Sequence, residues 1–153
     1  MGTEIERKFL VTGETWRSAP GTHYTQGYLS RDPNRTVRVR IAGDHAWLTI
    51  KGRTTGATRA EFEYEIPMSD AHDLLRLCDH PIIDKIRHTI THDGHLWEID
   101  EFLGENEGLI IAEIELDSEN EPFTHPPWLG QEVTADPRYY NANLSQNPFT
   151  KWK

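Results

Sequence analysis

The sequence predicts a mainly β fold of the α+β class, with about eight antiparallel strands, and three observations predict it. Charged and apolar residues alternate over one segment after another, which is the period of a strand. Short turns rich in Gly, Asp and Asn separate those segments, as hairpins require. Only one internal segment and part of the tail carry a helical pattern. Strands with one polar and one apolar face can close into a barrel, and closure removes sheet edges.

The first strand is expected over Thr3–Val11, where Glu4, Glu6 and Lys8 alternate with Ile5, Arg7 and Phe9. Thr12-Gly13-Glu14 opens a short turn or helical segment through Trp16. His23–Ser30 reads as the second strand, with Tyr24, Gln26 and Tyr28 on one face, and Arg31-Asp32-Pro33-Asn34 as a turn. Val37, Val39 and Ile41 alternate with Arg38 and Arg40 in the third. Ala42-Gly43-Asp44-His45 turns into the fourth, Ala46–Lys51. A polar loop leads to Ala60–Ile66, where Glu61, Glu63 and Glu65 alternate with Phe62, Tyr64 and Ile66.

Ser69 is expected to cap a helix through Leu77, with Asp70 in its first turn. Ile82–Thr91, Leu96–Phe102 and Leu109–Asp117 complete the strands, and a tail helix is expected around Tyr139–Ser145. The period leaves two orientations open. With the charged face outward the barrel has an apolar core. With it inward the barrel is a polar tunnel, and Gly13–Trp16, Ser69–Leu77 and the tail must cover the apolar face.

The chain has 153 residues, which suits one domain spanning 1–153 with a substantial core. Its net charge of -9 argues against nucleic acid as the main partner. No apolar run approaches a bilayer span of about 20 residues, so no membrane partner is expected. Cys78 is the single cysteine, reads as a small core residue, and suits a reducing, cytoplasmic compartment. The tail lysines Lys151 and Lys153 are expected to lack fixed structure, as termini commonly do.

The charged faces carry repeated doublets rather than a mixture of Thr, Ser and Gln. Glu4/Glu6, Glu61/Glu63, Glu98/Asp100 and Glu113/Glu115 gather acids, while Arg38/Arg40 and Lys85/Arg87, with Lys8 and Lys51, gather bases. Like charges on one face repel and need counter-cations, either basic side chains or a metal. Oxygen donors alone favour Mg²⁺ or Mn²⁺ over zinc. The bases suit a polyanion such as a phosphate chain. There is no Gly-rich phosphate loop, so side chains must do the gripping.

Glu4-Ile5-Glu6-Arg7-Lys8-Phe9-Leu10-Val11 resembles the opening signature of the CYTH superfamily, the triphosphate tunnel metalloenzymes. The resemblance runs through Arg38/Arg40, Lys51, Glu61/Glu63, Lys85/Arg87, Asp100 and Glu113/Glu115 to Trp128–Thr134, Asp136 and Tyr139. It implies an eight-stranded antiparallel tunnel with the charged face inside, and divalent-metal-dependent chemistry on a triphosphate. By position, it implies that Lys8, Arg38, Arg40, Lys51, Lys85 and Arg87 bind phosphate oxygens. It implies a metal held by Glu4, Glu6, Glu113 and Glu115, with Asp100 joining them. Glu98 fits the pattern more weakly.

The expected reaction is hydrolysis of inorganic tripolyphosphate to diphosphate and phosphate, by positioning and charge neutralisation. Glu61 or Glu63 would orient the water or serve a second metal. Tyr28, with Lys85 as the neighbouring ammonium, is the other candidate for that step. Within the family the alternatives are thiamine triphosphatase, nucleoside triphosphatase and class IV adenylate cyclase, with Trp16, Trp47 and Trp97 as candidate mouth residues. A non-catalytic polyphosphate or nucleotide sensor and a purely structural barrel are the alternatives outside it. A homodimer is compatible with a family member of this size.

Overall fold

The structure, a computed structural model, describes residues 2–152; Lys153 lies outside them. Its strands are β1 (Thr3–Val11), β2 (Gly21–Ser30), β3 (Arg35–Ala42), β4 (His45–Gly52), β5 (Thr58–Ile66), β6 (Asp79–His92), β7 (His95–Phe102), β8 (Ile110–Glu115) and β9 (Leu129–Glu132). Helix α1 (Met68–Leu77) separates β5 from β6, and a single turn, α2 (Asn141–Leu144), lies in the tail.

All pairings are antiparallel, in the order β5-β4-β3-β2-β6-β7-β8-β1-β9. The first half of β1 pairs back onto β5, Thr3 opposite Ala60 and Ile5 opposite Thr58, so eight strands close a barrel. The ninth, β9, is short and was not expected. It pairs with the far end of β1, with Val11 opposite Leu129. Glycine permits that approach, because a Cβ on Gly130 would lie 2.9 Å from the Leu10 carbonyl oxygen.

The charged face points inward. Glu4, Lys8, Arg38, Lys51, Lys85, Arg87, Asp100 and Glu113 are all buried. The apolar face points outward and is covered on two sides. Phe9, Trp97, Ile99, Ala112 and Ile114 pack beneath Trp16 and Trp128. Val39, Ala46 and Cys78 pack beneath Ala71 of α1, with Leu74 and Leu75 alongside. Helix α1 sits close because residue 27 is glycine; a Cβ there would come within 2.8 Å of Cys78 Cβ and Ile82 Cδ1. Cover is incomplete over β4 and β5, where Ile50, Phe62 and Tyr64 stay exposed.

A third apolar cluster lies inside one end of the barrel. Tyr28, Ile83, Phe102 and Ile111 share the inward parity of their strands and pack on Leu144 of α2. The tail was expected to cover the outer face; its first part does so through Phe123 and Trp128, whereas α2 and its neighbours fill part of that end. Lys151, expected to lack fixed structure, belongs to a 3-10 turn, Phe149–Lys151. The tail helix is also shorter than expected, because Pro137–Tyr139 forms a 3-10 turn before Asn141–Leu144. Ser69 is not the cap of α1; Pro67 holds that position, and no side chain caps the helix. The helix therefore starts two residues earlier than expected, directly after Pro67.

Candidate active site

The barrel encloses a cavity of about 610 Å³. Every predicted site residue except Asp100 lines it: Glu4, Glu6, Lys8, Tyr28, Arg38, Arg40, Lys51, Glu61, Glu63, Lys85, Arg87, Glu113 and Glu115, with Glu98 as well. Alternation puts the members of each doublet, two residues apart on a strand, on the same face, and barrel closure turns that face inward.

Lys51 Nζ lies 3.1 Å from both oxygens of Glu4, and Arg59 Nε adds a contact at 3.4 Å. Burial works against the charge of Glu4, but Lys51 and Arg59 outweigh it and hold its carboxyl below the usual range. Lys8 bridges Glu6, at 2.9 Å, and Glu113. Burial opposes the Lys8 charge, yet Glu113 and Glu6 prevail and raise its pKa. Arg38 reaches Thr49 Oγ1 at 3.2 Å and lies 3.6 Å from Glu63, while its buried Nε has no partner. A buried orphan donor on a cavity wall suits an incoming anion.

Asp100 lies beneath the lining, 1% exposed. Arg87 takes both its oxygens, at 2.8 and 2.9 Å, and Lys85 Nζ lies 2.7 Å from Oδ2. Burial opposes its charge, but the two cations hold it well below the carboxylate range. Asp100, expected to join the metal-holding carboxylates, has both oxygens engaged by Arg87 and Lys85 in this structure. Lys85 is pushed down to about 7, chiefly by burial, with Arg87 and Arg40 adding repulsion that Asp100 only partly offsets. Burial beside Arg38 and Arg87 also lowers Arg40, which keeps its charge because guanidinium starts so high.

The opposite imbalance holds among three glutamates. Burial, with Glu4, Glu61, Glu6 and Glu98 nearby, pushes Glu115 up to about 7. Glu61 and Glu98 are also raised, first by burial and then by neighbouring carboxylates that Lys51 and Arg87 do not fully offset. Lys51 at 3.6 Å from Glu61 and Arg87 at 3.3 Å from Glu98 leave these carboxylates only partly neutralised, and their donors are all oxygens, which fits a hard divalent ion. Among the described residues no three Asp, Glu, His or Cys side chains converge as a ready-made metal site. Such an ion would therefore draw on water or ligand oxygens as well, as Mg²⁺ commonly does.

Sequence reasoning missed several lining residues. Arg31, Arg53 and Arg59 bring the lining to nine Lys and Arg against seven Glu. Arg53 and Arg59 were detectable, since they extend the inward parity of Lys51 and Glu61. Tyr140 and Asn141 of the tail also line the cavity and carry no charge signal. The tryptophans do not line it: Trp16 and Trp97 are fully buried outside the wall, and Trp47 stacks on His45.

Comparison with known proteins gives a consistent set of relatives. The profile of the CYTH domain matches residues 2–146. An inorganic triphosphatase of Acetivibrio thermocellus is 52% identical over 100% of this chain and 99% of its own. One from Nitrosomonas europaea is 35% identical over 94% and 97%. The crystal structure of an inorganic triphosphatase superposes with a TM-score of 0.67, at 33% identity, over 92% of this chain and 96% of that one.

Proposed function

The chain belongs to the CYTH domain family, and from that premise we propose that it hydrolyses inorganic tripolyphosphate to diphosphate and phosphate with a divalent metal. One observation carries this reading. A chain of net charge -9 lines its barrel cavity with nine cations and seven carboxylates. Such a surplus inside an acidic protein suits a small polyanion. The lining holds no tryptophan to clamp a thiazole or a base, which favours an inorganic substrate over thiamine triphosphate or ATP.

In this reading Lys8, Arg38, Arg40, Lys51, Lys85 and Arg87 bind the phosphate oxygens. Arg38 offers its free Nε, and Lys85, with Asp100 and Asn141 on two of its three protons, retains one for substrate. Glu115, Glu113, Glu4 and Glu6, with Glu61 and Glu98 next to them, would hold the metal together with water or substrate oxygens, drawing Glu4, Glu6 and Glu113 from their present pairs with Lys51, Arg59 and Lys8. Mg²⁺ or Mn²⁺ would neutralise developing charge on the phosphate oxygens. Asp100 acts through Arg87 and Lys85, fixing two cations rather than ligating. A water oxygen attacks the terminal phosphorus, the bond to the bridging oxygen breaks, and diphosphate leaves. Glu63 or Glu61 takes the water's proton, or Tyr28 with Lys85 manages it. No described helix is long and apolar enough to cross a membrane. The lone, buried Cys78 supports a cytoplasmic setting.

The test is phosphate release from tripolyphosphate, ATP and thiamine triphosphate side by side, with and without Mg²⁺, using Glu4→Gln as control. The reading predicts fast, metal-dependent release from tripolyphosphate that Glu4→Gln abolishes. Preference for an organic triphosphate would move the specificity elsewhere in the family, and no release from any of them would overturn the hydrolase assignment.

A further inference from the structure

Three cavity cations, Arg40, Lys85 and Arg87, are joined in one closed ring of contacts. Arg40 Nε donates to Gln26 Oε1 at 2.8 Å, and Gln26 Nε2 donates to Asn141 Oδ1 at 3.1 Å. Lys85 Nζ donates to the same Asn141 oxygen at 2.9 Å, and lies 2.7 Å from Asp100. Asp100 holds Arg87 through two bonds, and the Arg87 and Arg40 guanidiniums both lie over the Tyr24 ring, at 4.7 and 4.9 Å. Six of these seven residues come from the barrel wall. Asn141, at the start of α2, comes from the tail.

We propose that Asn141 is a positioning residue, through which the folded tail sets Lys85 and Arg40 in the geometry that grips the phosphate chain. This rests on the hydrolase reading above for the identity of the anion. The physical argument is a matter of acceptors. Lys85 is 1% exposed, and in its charged form, the form that binds a phosphate, it has no lone pair, so each of its protons needs an oxygen. Asp100 supplies one and Asn141 another. Without Asn141 the ammonium swings toward Asp100 or the cavity, and Gln26 loses the partner that orients its oxygen toward Arg40. A neutral acceptor fits here better than a carboxylate, because it orients the ammonium without cancelling the charge the phosphate needs. Leu144, fully buried against Tyr28, Ile83 and Phe102, holds α2 where this contact is made.

The test is a double-mutant cycle of Asn141→Ala and Lys85→Met, read as kcat/KM for tripolyphosphate and as its Kd by calorimetry in the absence of metal. In the otherwise unaltered protein Asn141→Ala should reduce kcat/KM and weaken binding at least about tenfold, the scale of one hydrogen bond to a charged group. In the Lys85→Met background the same change should cost clearly less, about threefold, because the direct contact is gone and only the arm through Gln26 to Arg40 remains. Equal losses in both backgrounds, or no loss in either, would overturn the proposal. Should Asn141→Ala unseat the tail, seen as protease sensitivity, Asn141→Ser is carried through the same cycle. If the unaltered protein hydrolyses nothing, the hydrolase reading fails, while the calorimetric cycle still decides the role of Asn141.

Discussion

Arg87 holds Asp100 in a parallel two-bond grip, Nε to Oδ1 at 2.8 Å and Nη2 to Oδ2 at 2.9 Å, directly beneath the cavity lining. With Lys85 on the same carboxylate, Asp100 anchors two cations that are each less than a tenth exposed. Removing it leaves Lys85 buried without its 2.7 Å carboxylate partner, and leaves Arg87 with the longer contacts to Glu98 and Glu113, at 3.3 and 3.6 Å. Asp100→Ala is expected to cost about 3–5 kcal/mol of folding stability, read from guanidinium unfolding. A cost near zero would mean that Arg87 and Lys85 find other partners, and that Asp100 does not position them.

Glu115 gives a pH signature. Its folded pKa is raised to about 7 by burial and by neighbouring carboxylates, against 4.5 when unfolded. The folded protein therefore binds more protons over this interval, and the metal-free fold loses stability as pH rises through it. Above pH 7 the penalty is complete; below 4.5 it is absent. Glu115→Gln should raise the melting temperature of the metal-free protein at pH 8 and leave it unchanged at pH 4.5. An equal shift at both values would assign the effect to packing instead.

Tyr28 lines the cavity while its ring packs on Ile83, Phe102 and Leu144. Phenylalanine keeps that packing and deletes the hydroxyl. If the hydroxyl handles a proton of the attacking water, Tyr28→Phe should lower kcat by about 10² or more with little change in melting temperature. Near-normal turnover would leave Tyr28 as a wall residue and leave the step to Glu61 or Glu63.

The seating of α1 depends on Gly27. A methyl group there would meet Cys78 Cβ and Ile82 Cδ1 at 2.8 Å, and while the end of Ile82 can turn away, Cys78 Cβ moves only with its backbone. Gly27→Ala should destabilise the fold by about 1–3 kcal/mol, seen as a lower denaturant midpoint at unchanged slope.

Much of this was legible in the residues. Alternation along Thr3–Val11 or Ala60–Ile66 sorts side chains onto two faces, so the strands and the membership of the charged wall followed from period alone. Period does not say which face is inside; resemblance selected the inward one, and the burial of Lys85 and Asp100 agrees with it. The tail was less legible. Strand β9 is only four residues long and includes Gly130, too little for a pattern. Asn141 carries no charge, and its importance arises from a contact with Lys85, 56 residues away in sequence. Asp100 shares the parity of the carboxylates proposed to hold the metal, yet its cross-strand neighbour is Arg87, and that pairing depends on register rather than sequence.

The most direct measurement follows the phosphorus resonances of tripolyphosphate mixed with the protein and Mg²⁺. The account predicts that orthophosphate and diphosphate appear in equal amounts, that neither appears when the metal is chelated, and that diphosphate then persists. Orthophosphate accumulating alone, or a tripolyphosphate spectrum that does not change, would contradict it.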